Sequence, residues 1–555
     1  MNAHTSWFRY VLLISVFSFL IVLSGYSISD LRKDIVLFDF ENENFNDWEL
    51  TGRDFLVGGG PLHRDTIVDW ERGPIGFKGQ YYLESGHDQG RHTNKQGGGA
   101  WKSPEFQIKR NYLNFYLAGQ LNPGVRVLLE IDGVKVREAF GNNFYDLILR
   151  GWDVREFDGK NARFVLEDKS NFRSLIRLDH IFLSDTAPDP DTSWVKSEDR
   201  QRSSIAAPGK FRHVFSNEQI TDGDWLVERA NIVYGPDNKW HMFAQVIEAS
   251  NVWEVRNPGR IIHAVSENLM EGWSYQGVVM SADAAYGEQF IIDPFVMVYD
   301  NKFYMYYVGA GNLWSGWYTG PEGNNNPWHL GESGDFGPNS MFLAISENGS
   351  EWERIGTADT RRPGKIFTEK PFGLTPYVHR IGDEWVMYYA SALDETVFSK
   401  HTIGYRTSKD LINWSNRKHA LVDWSLTDTV EAANFGRHIP ASPWPEHSFF
   451  TNPVVFKRGN TWHLWAGPID NSNLSRYHCL RIYLNDNPFS FSGHWHAKEI
   501  NKRVFVDGGG RPLRDPNGNW FIFHTNNMSG GVWVAPLFWN DGIHPDDTSL
   551  IAPTQ

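Results

Sequence analysis

In the C-terminal two-thirds of the chain, one pattern of apolar and polar positions returns five times: a small residue or Pro, an alternating apolar stretch, a polar turn, and a strand rich in aromatics. The copies begin at Ala230, Pro294, Pro376, Pro453 and Pro512. Each reads as two strands joined at Asp237-Asn238, Asp300-Asn301, Gly382-Asp383, Gly459-Asn460 or Asn517-Gly518, residue types that tolerate the backbone angles of tight hairpin turns. The copies are spaced by 64, 82, 77 and 59 residues. Each interval has room for about four strands and their loops, so the pattern predicts five such units closing on themselves as a five-bladed β-propeller. A second phrase supports this reading. In the first three copies a third strand is followed by a Ser-rich turn ending at Trp273, Trp352 or Trp414, and the last two copies lack that turn.

Upstream, residues 34–186 carry short alternating stretches, among them 36–40, 112–117, 125–131 and 162–168, separated by turn signals such as Asp132-Gly133 and Asp158-Gly159. They predict an antiparallel β-sandwich. Residues 187–210, opening in a Pro- and Asp-rich stretch, read as a linker to a propeller over 211–555. The fold class is therefore all-β. The first 30 residues hold an apolar run of 13 after Arg9, short for a spanning helix and of signal-peptide length; they read as a signal peptide or an uncleaved membrane anchor. Either way the folded part is expected to be exported, to the periplasm, the medium or the cell surface.

Composition narrows the picture. The 555 residues exceed what a single core organises. A net charge of −14 argues against a nucleic-acid partner, since phosphate binding needs a basic face. The single cysteine, Cys479, allows no internal disulfide and reads as a buried filler. Neither a zinc-ligand spacing, a P-loop nor a dinucleotide fingerprint is present, so no cofactor is expected.

In a propeller the residues just before each blade's inner strand converge at one mouth of the central channel. Here they are Arg229, Asp293, Thr375, Asn452 and Arg511, all polar although the strands that follow are apolar. Glu228 precedes Arg229. Glu369 and Glu446 each stand seven residues before a blade proline and read as loop carboxylates able to reach over the mouth. Asp224 is a candidate from the approach to the first blade and Asp507 from the fifth, whereas Asp515 sits in a hairpin turn and reads as turn chemistry. Trp253, Trp314, Trp317, Trp328 and Trp444 fall in long irregular inserts and are candidates for stacking on sugar rings, Trp314 first.

Two resemblances follow from these residues. The ordered phrases at 38–41, 47–55, 101–108, 127–137, 152–168 and 178–183 resemble the β-sandwich module of levanase-type glycoside hydrolases, which implies contact with a fructan or another polysaccharide. Trp70, Tyr81, Tyr82 and Trp101 are its candidate sugar-stacking aromatics, with a place in the sandwich core as the alternative. The propeller, with Asp293-Pro294 opening an inner strand, resembles the glycoside hydrolases of families 43 and 32 and their relatives. The resemblance implies an acid that protonates the leaving oxygen and a second carboxylate as base or nucleophile. It implies for Asp293 a contact to the sugar and a tuning of the acid, and it makes Glu228 a candidate acid; a structural calcium ion is compatible with it. Two departures stand out: Ala230-Asn231-Ile232-Val233 occupies the first blade where family 32 keeps its nucleophile phrase, and a Glu-Cys phrase is missing from the third. The expected substrate is a poly- or oligosaccharide. If Arg229 and Arg511 both face the channel, an anionic sugar becomes a candidate, with arginine–carboxylate pairing inside the channel as the alternative. A carbohydrate-binding propeller without catalysis is the competing reading.

Overall fold

A computed structural model describes residues 32–41, 47–51, 62–64, 78–79, 81–85, 99–141, 144–169, 176–188, 206–248, 259–286, 288, 290–310, 339–356, 364–369, 373–392, 401–421, 449–458, 460–469, 481–491, 510–526 and 529–539. The described regular structure is antiparallel β-sheet with a few single turns of 3-10 helix.

The N-terminal part forms two six-stranded sheets. One runs Phe144–Asp153, Tyr112–Gly119, Ile176–Ser184, Tyr81–Glu84, Leu62–Arg64, with Ile35–Phe38 also on Ile176–Ser184. The other runs Glu49–Thr51, Gly99–Lys102, Asn161–Asp168, Val125–Ile131, Val134–Phe140, with Phe106–Gln107 on Asn161–Asp168. The alternation of their sequences sends Phe115, Leu117, Val127, Leu129, Trp152, Phe164 and Leu178 into one shared core. Trp101 lies in that core and Tyr82 is also buried, so neither is a sugar-stacking surface; Trp70 lies outside the described residues.

The C-terminal part forms five sheets among the described residues. Their inner strands, Trp225–Tyr234, Phe290–Tyr299, Gly373–Ile381, Phe449–Arg458 and Arg511–Arg514, follow one another in space, and Trp520–Asn526 of the fifth sheet returns to Trp225–Tyr234 of the first. The ring is closed by the chain that enters it: Ala206–Pro208 and Arg212–Ser216 pair with Gly531–Trp539 and complete the last sheet. A separate apolar cluster fills each seam between neighbouring sheets, for example Ile292, Tyr306 and Met341 against Leu374 and Met387, and Val454 and Trp465 against Ile522 and Trp533. Phe140 of the sandwich meets Trp533 at 5.1 Å, edge to face, and so joins the two parts.

The recurring turns have visible causes. Asp300 and Asn301 both take positive φ, 49° and 57°, as a two-residue hairpin loop of the strand-matching kind requires. In the Ser-to-Trp turns the hydroxyls of Ser266, Ser346 and Ser408 accept backbone N–H groups, and the indoles of Trp273, Trp352 and Trp414 donate to Leu269, Gly349 and Leu411 carbonyls. Asp515 closes its turn through Asn519, the local role expected of it.

One expectation about the inner strands needs correcting. They do not begin at the prolines: they start at Phe290, Gly373 and Phe449, and pairing slips between Ile292 and Phe295, Leu374 and Tyr377, and Thr451 and Val454. Proline has no N–H for the ladder, so each Pro and the residue before it form a bulge inside a longer strand.

Candidate functional site

Those bulges build the site. Asp293, Thr375 and Asn452 carry positive φ of 55°, 53° and 54°, a left-handed conformation that Asn and Asp tolerate and that is an outlier for a β-branched Thr. Three sheets repeat the same local strain at the same point of the inner strand, a pattern that clusters at functional sites. In the first sheet the slip falls between Val227 and Arg229, so Glu228 is the extra residue of its bulge.

The five residues expected at one mouth do meet. Arg229 Nη1 lies 2.9 Å from Asp293 Oδ1 and also donates to Asn452 Oδ1 at 2.9 Å. Arg511 Nη2 donates to the same Asn452 oxygen at 3.3 Å. The Thr375 N–H donates to Asp293 Oδ2 at 3.1 Å, and the Asn452 N–H to the Thr375 hydroxyl at 3.0 Å. The Asp293 and Thr375 side chains thus each accept a backbone N–H of the next sheet, while Arg229, Asn452 and Arg511 meet through their side chains. Asp293, Thr375 and Asn452 are buried; Arg511 is 7% exposed, while the Arg229 side chain keeps 20%. Burial, helped by the Arg229 guanidinium, pushes Arg511 down to about 10, still cationic at neutral pH.

Two members of this network escaped the sequence reading. Gln245 accepts the Asp293 N–H at 3.1 Å, and Asn231 accepts that of Val296 at 3.0 Å. Their signal was a buried polar residue inside an otherwise apolar strand, as in Met242-Phe243-Ala244-Gln245-Val246.

Glu369 belongs elsewhere. It was expected on a loop over the mouth, but it ends the strand Lys365–Glu369 and is buried in the seam between the second and third sheets. There Arg406 Nη2 approaches at 2.8 Å, Arg417 Nη1 at 2.6 Å, and the Tyr389 hydroxyl donates at 2.8 Å. Two guanidiniums and a tyrosine hydroxyl hold it there, and none of these partners belongs to the ring of Asp293. The preceding seam repeats the device: Glu288 takes Arg354 Nη2 at 2.8 Å and the Tyr307 hydroxyl at 2.6 Å. Asp224 is exposed in the bend before the first inner strand, and Glu228 is half-buried. Glu446, Trp314, Asp507, Cys479, Trp253, Trp317, Trp328 and Trp444 lie outside the described residues. Among the described residues, no group of three or more His, Cys, Asp or Glu side chains is placed to hold a metal ion.

No protein-family model matches this chain, and no curated protein matches it. Solved structures do. The chain is similar to glycoside hydrolases of families 43 and 32. A thermostable family-43 glycoside hydrolase is 15% identical, over 62% of this chain and 98% of its own, with a TM-score of 0.38. The α-L-arabinofuranosidase from Lactobacillus brevis is 12% identical over 59% and 94%, at 0.37. The family-32 β-fructofuranosidase BmSUC1 from Bombyx mori is 13% identical over 58% and 63%, at 0.36. Likeness this distant says nothing of reaction or substrate.

Proposed function

We propose that the ring around Asp293 is the working end of a glycoside hydrolase that cleaves a glycosidic bond in a poly- or oligosaccharide. The observation that carries the reading is the left-handed bulge repeated in three sheets, beside which the Asp293–Arg229 ion pair and the polar side chains of Thr375, Asn452 and Arg511 meet. In this reading Asp293, held by Arg229 and the Thr375 N–H, positions its neighbours. Glu228, the extra residue of the first sheet's bulge and the sequence neighbour of Arg229, protonates the leaving glycosidic oxygen as the bond to the anomeric carbon breaks; water then supplies the new hydroxyl there, and its proton restores the Glu228 carboxyl. The N-terminal apolar run supports export, and the sandwich, by its resemblance, supports a second glycan contact.

One observation favours a second reading, a propeller that binds carbohydrate without cleaving it. Both oxygens of Asp293 are engaged, and Arg229 and Thr375 stand at the equivalent places in the neighbouring sheets where a partner carboxylate would be sought. Release of reducing ends from a polysaccharide panel separates the two. Cleavage by the wild type that disappears in Glu228→Gln supports the hydrolase, and binding without cleavage supports the second reading.

A further inference from the structure

In the second, third and fourth sheets the left-handed residue of the bulge donates its N–H to a side chain of the sheet before it. The Asp293 N–H goes to Gln245 Oε1 at 3.1 Å, that of Thr375 to Asp293 Oδ2 at 3.1 Å, and that of Asn452 to the Thr375 hydroxyl at 3.0 Å. The links all run one way around the ring. Two of the three acceptors are ring positions themselves, but the first is not. Arginine carries donors only, so Arg229 cannot take the Asp293 N–H. Gln245, its register partner on Trp240–Glu248, takes it instead. The series ends beside its start, because Asn452 Oδ1 accepts Arg229 Nη1 at 2.9 Å.

We propose that Gln245 is the positioning residue of Asp293, an inference that rests on the reading of Asp293 as the working carboxylate of the ring. A buried N–H without an acceptor is costly, so the left-handed bulge at the buried Asp293 persists only while that N–H is bonded. Gln245, itself buried, thereby sets the backbone from which the Asp293 carboxylate is aimed, while Arg229 holds Oδ1. That aim presents Oδ2 to the Thr375 N–H, and the placement of Thr375 in turn presents its hydroxyl to Asn452. Asn231 supplies an internal reference. It accepts the Val296 N–H at 3.0 Å between the same two sheets, but Val296 lies in regular pairing beyond the bulge and outside the series.

Hydrogen exchange of the full chain, resolved to single amides by mass spectrometry with fragmentation, reads the series link by link and needs no substrate. In Gln245→Met, which keeps the length and loses the acceptor, exchange should quicken on the order of ten-fold at Asp293, Thr375 and Asn452 and stay unchanged at Val296. Gln245→Glu keeps an acceptor oxygen at the same reach and should leave Asp293 protected. Thr375→Val should quicken Asn452 and leave Asp293 as it is. If Gln245→Met fails to fold, Gln245→Asn, which draws the oxygen back by one methylene, takes its place. Quickening confined to Asp293, equal quickening at Val296, or a Gln245→Glu as unprotected as Gln245→Met overturns the inference. On a glycan that the wild type cleaves, kcat should fall on the order of 100-fold in Gln245→Met with KM little changed, and the same substitution added to Asp293→Asn should cost little more. Full kcat in Gln245→Met, or losses that multiply in the double variant, overturn the positioning role. A wild type that cleaves no glycan removes the hydrolase reading, and the exchange pattern still decides whether Gln245 sets Asp293.

Discussion

Glu369 and Asp293 are both 3% exposed, and each meets arginine at hydrogen-bond distance, but they sit in regions built on different rules. At the seam the chemistry itself repeats: carboxylate, tyrosine and arginine at Glu369, Tyr389 and Arg406, then again at Glu288, Tyr307 and Arg354. At the ring a left-handed bulge repeats in three sheets while its side chain changes from Asp to Thr to Asn, and Arg229 and Arg511 complete the ring without that conformation. Repeated chemistry in a repeat fold solves a problem common to every unit, the joining of neighbouring sheets. A repeated backbone with varied side chains prepares equivalent places and gives each its own task.

The comparison breaks first at the seam. Glu369→Ala leaves two buried guanidiniums without their carboxylate and should cost about 3–5 kcal/mol; denaturant titration checks this, and a loss below about 1 kcal/mol would make the seam dispensable. A third buried carboxylate extends the comparison to the sandwich. Asp179 of the sandwich is 0% exposed, with the Lys78 N–H at 2.6 Å on Oδ2 and Oδ1 unbonded, and burial pushes it up to about 7. Its protonated form is the stable one in the fold. The contribution is therefore full below the ordinary carboxylate range, falls as pH rises, and is gone above about 7. Melting temperature should drop by a few degrees between pH 5 and 8, and Asp179→Asn should flatten that slope; a wild-type profile that rises over this window contradicts the assignment.

At the ring the expected costs are smaller. Asp293→Asn keeps an acceptor for the Thr375 N–H and leaves an Arg229 that water still reaches, so it should cost about 1–2 kcal/mol, well under Glu369→Ala. Thr375→Asn gives the left-handed position a residue that tolerates it while keeping an oxygen for the Asn452 N–H; it should gain up to about 1 kcal/mol, and a destabilised variant would remove strain from the account.

Much of this was legible in the chain. Hairpin turns such as Asp300-Asn301 need left-handed angles that few residues tolerate, so the five units announce themselves locally. The ring positions were legible because a polar residue stands just before the Ala or Pro that opens each recurring phrase. What stayed hidden depends on distance. Glu369 reads as a loop acid until Tyr389, Arg406 and Arg417, 20, 37 and 48 residues away, close around it. Gln245 acquires its meaning from Asp293, 48 residues on. The prolines read as strand starts because a missing N–H looks the same at a strand end and at a bulge inside one.

The central claim is that the ring does chemistry and the seam does not. Reducing-end release from a polysaccharide panel, measured side by side for the wild type, Asp293→Asn and Glu369→Gln and normalised to folded protein, tests it most directly. The account predicts roughly 100-fold loss in Asp293→Asn, with near wild-type turnover in whatever Glu369→Gln remains folded. Full turnover in Asp293→Asn, or the larger loss in Glu369→Gln, would contradict it.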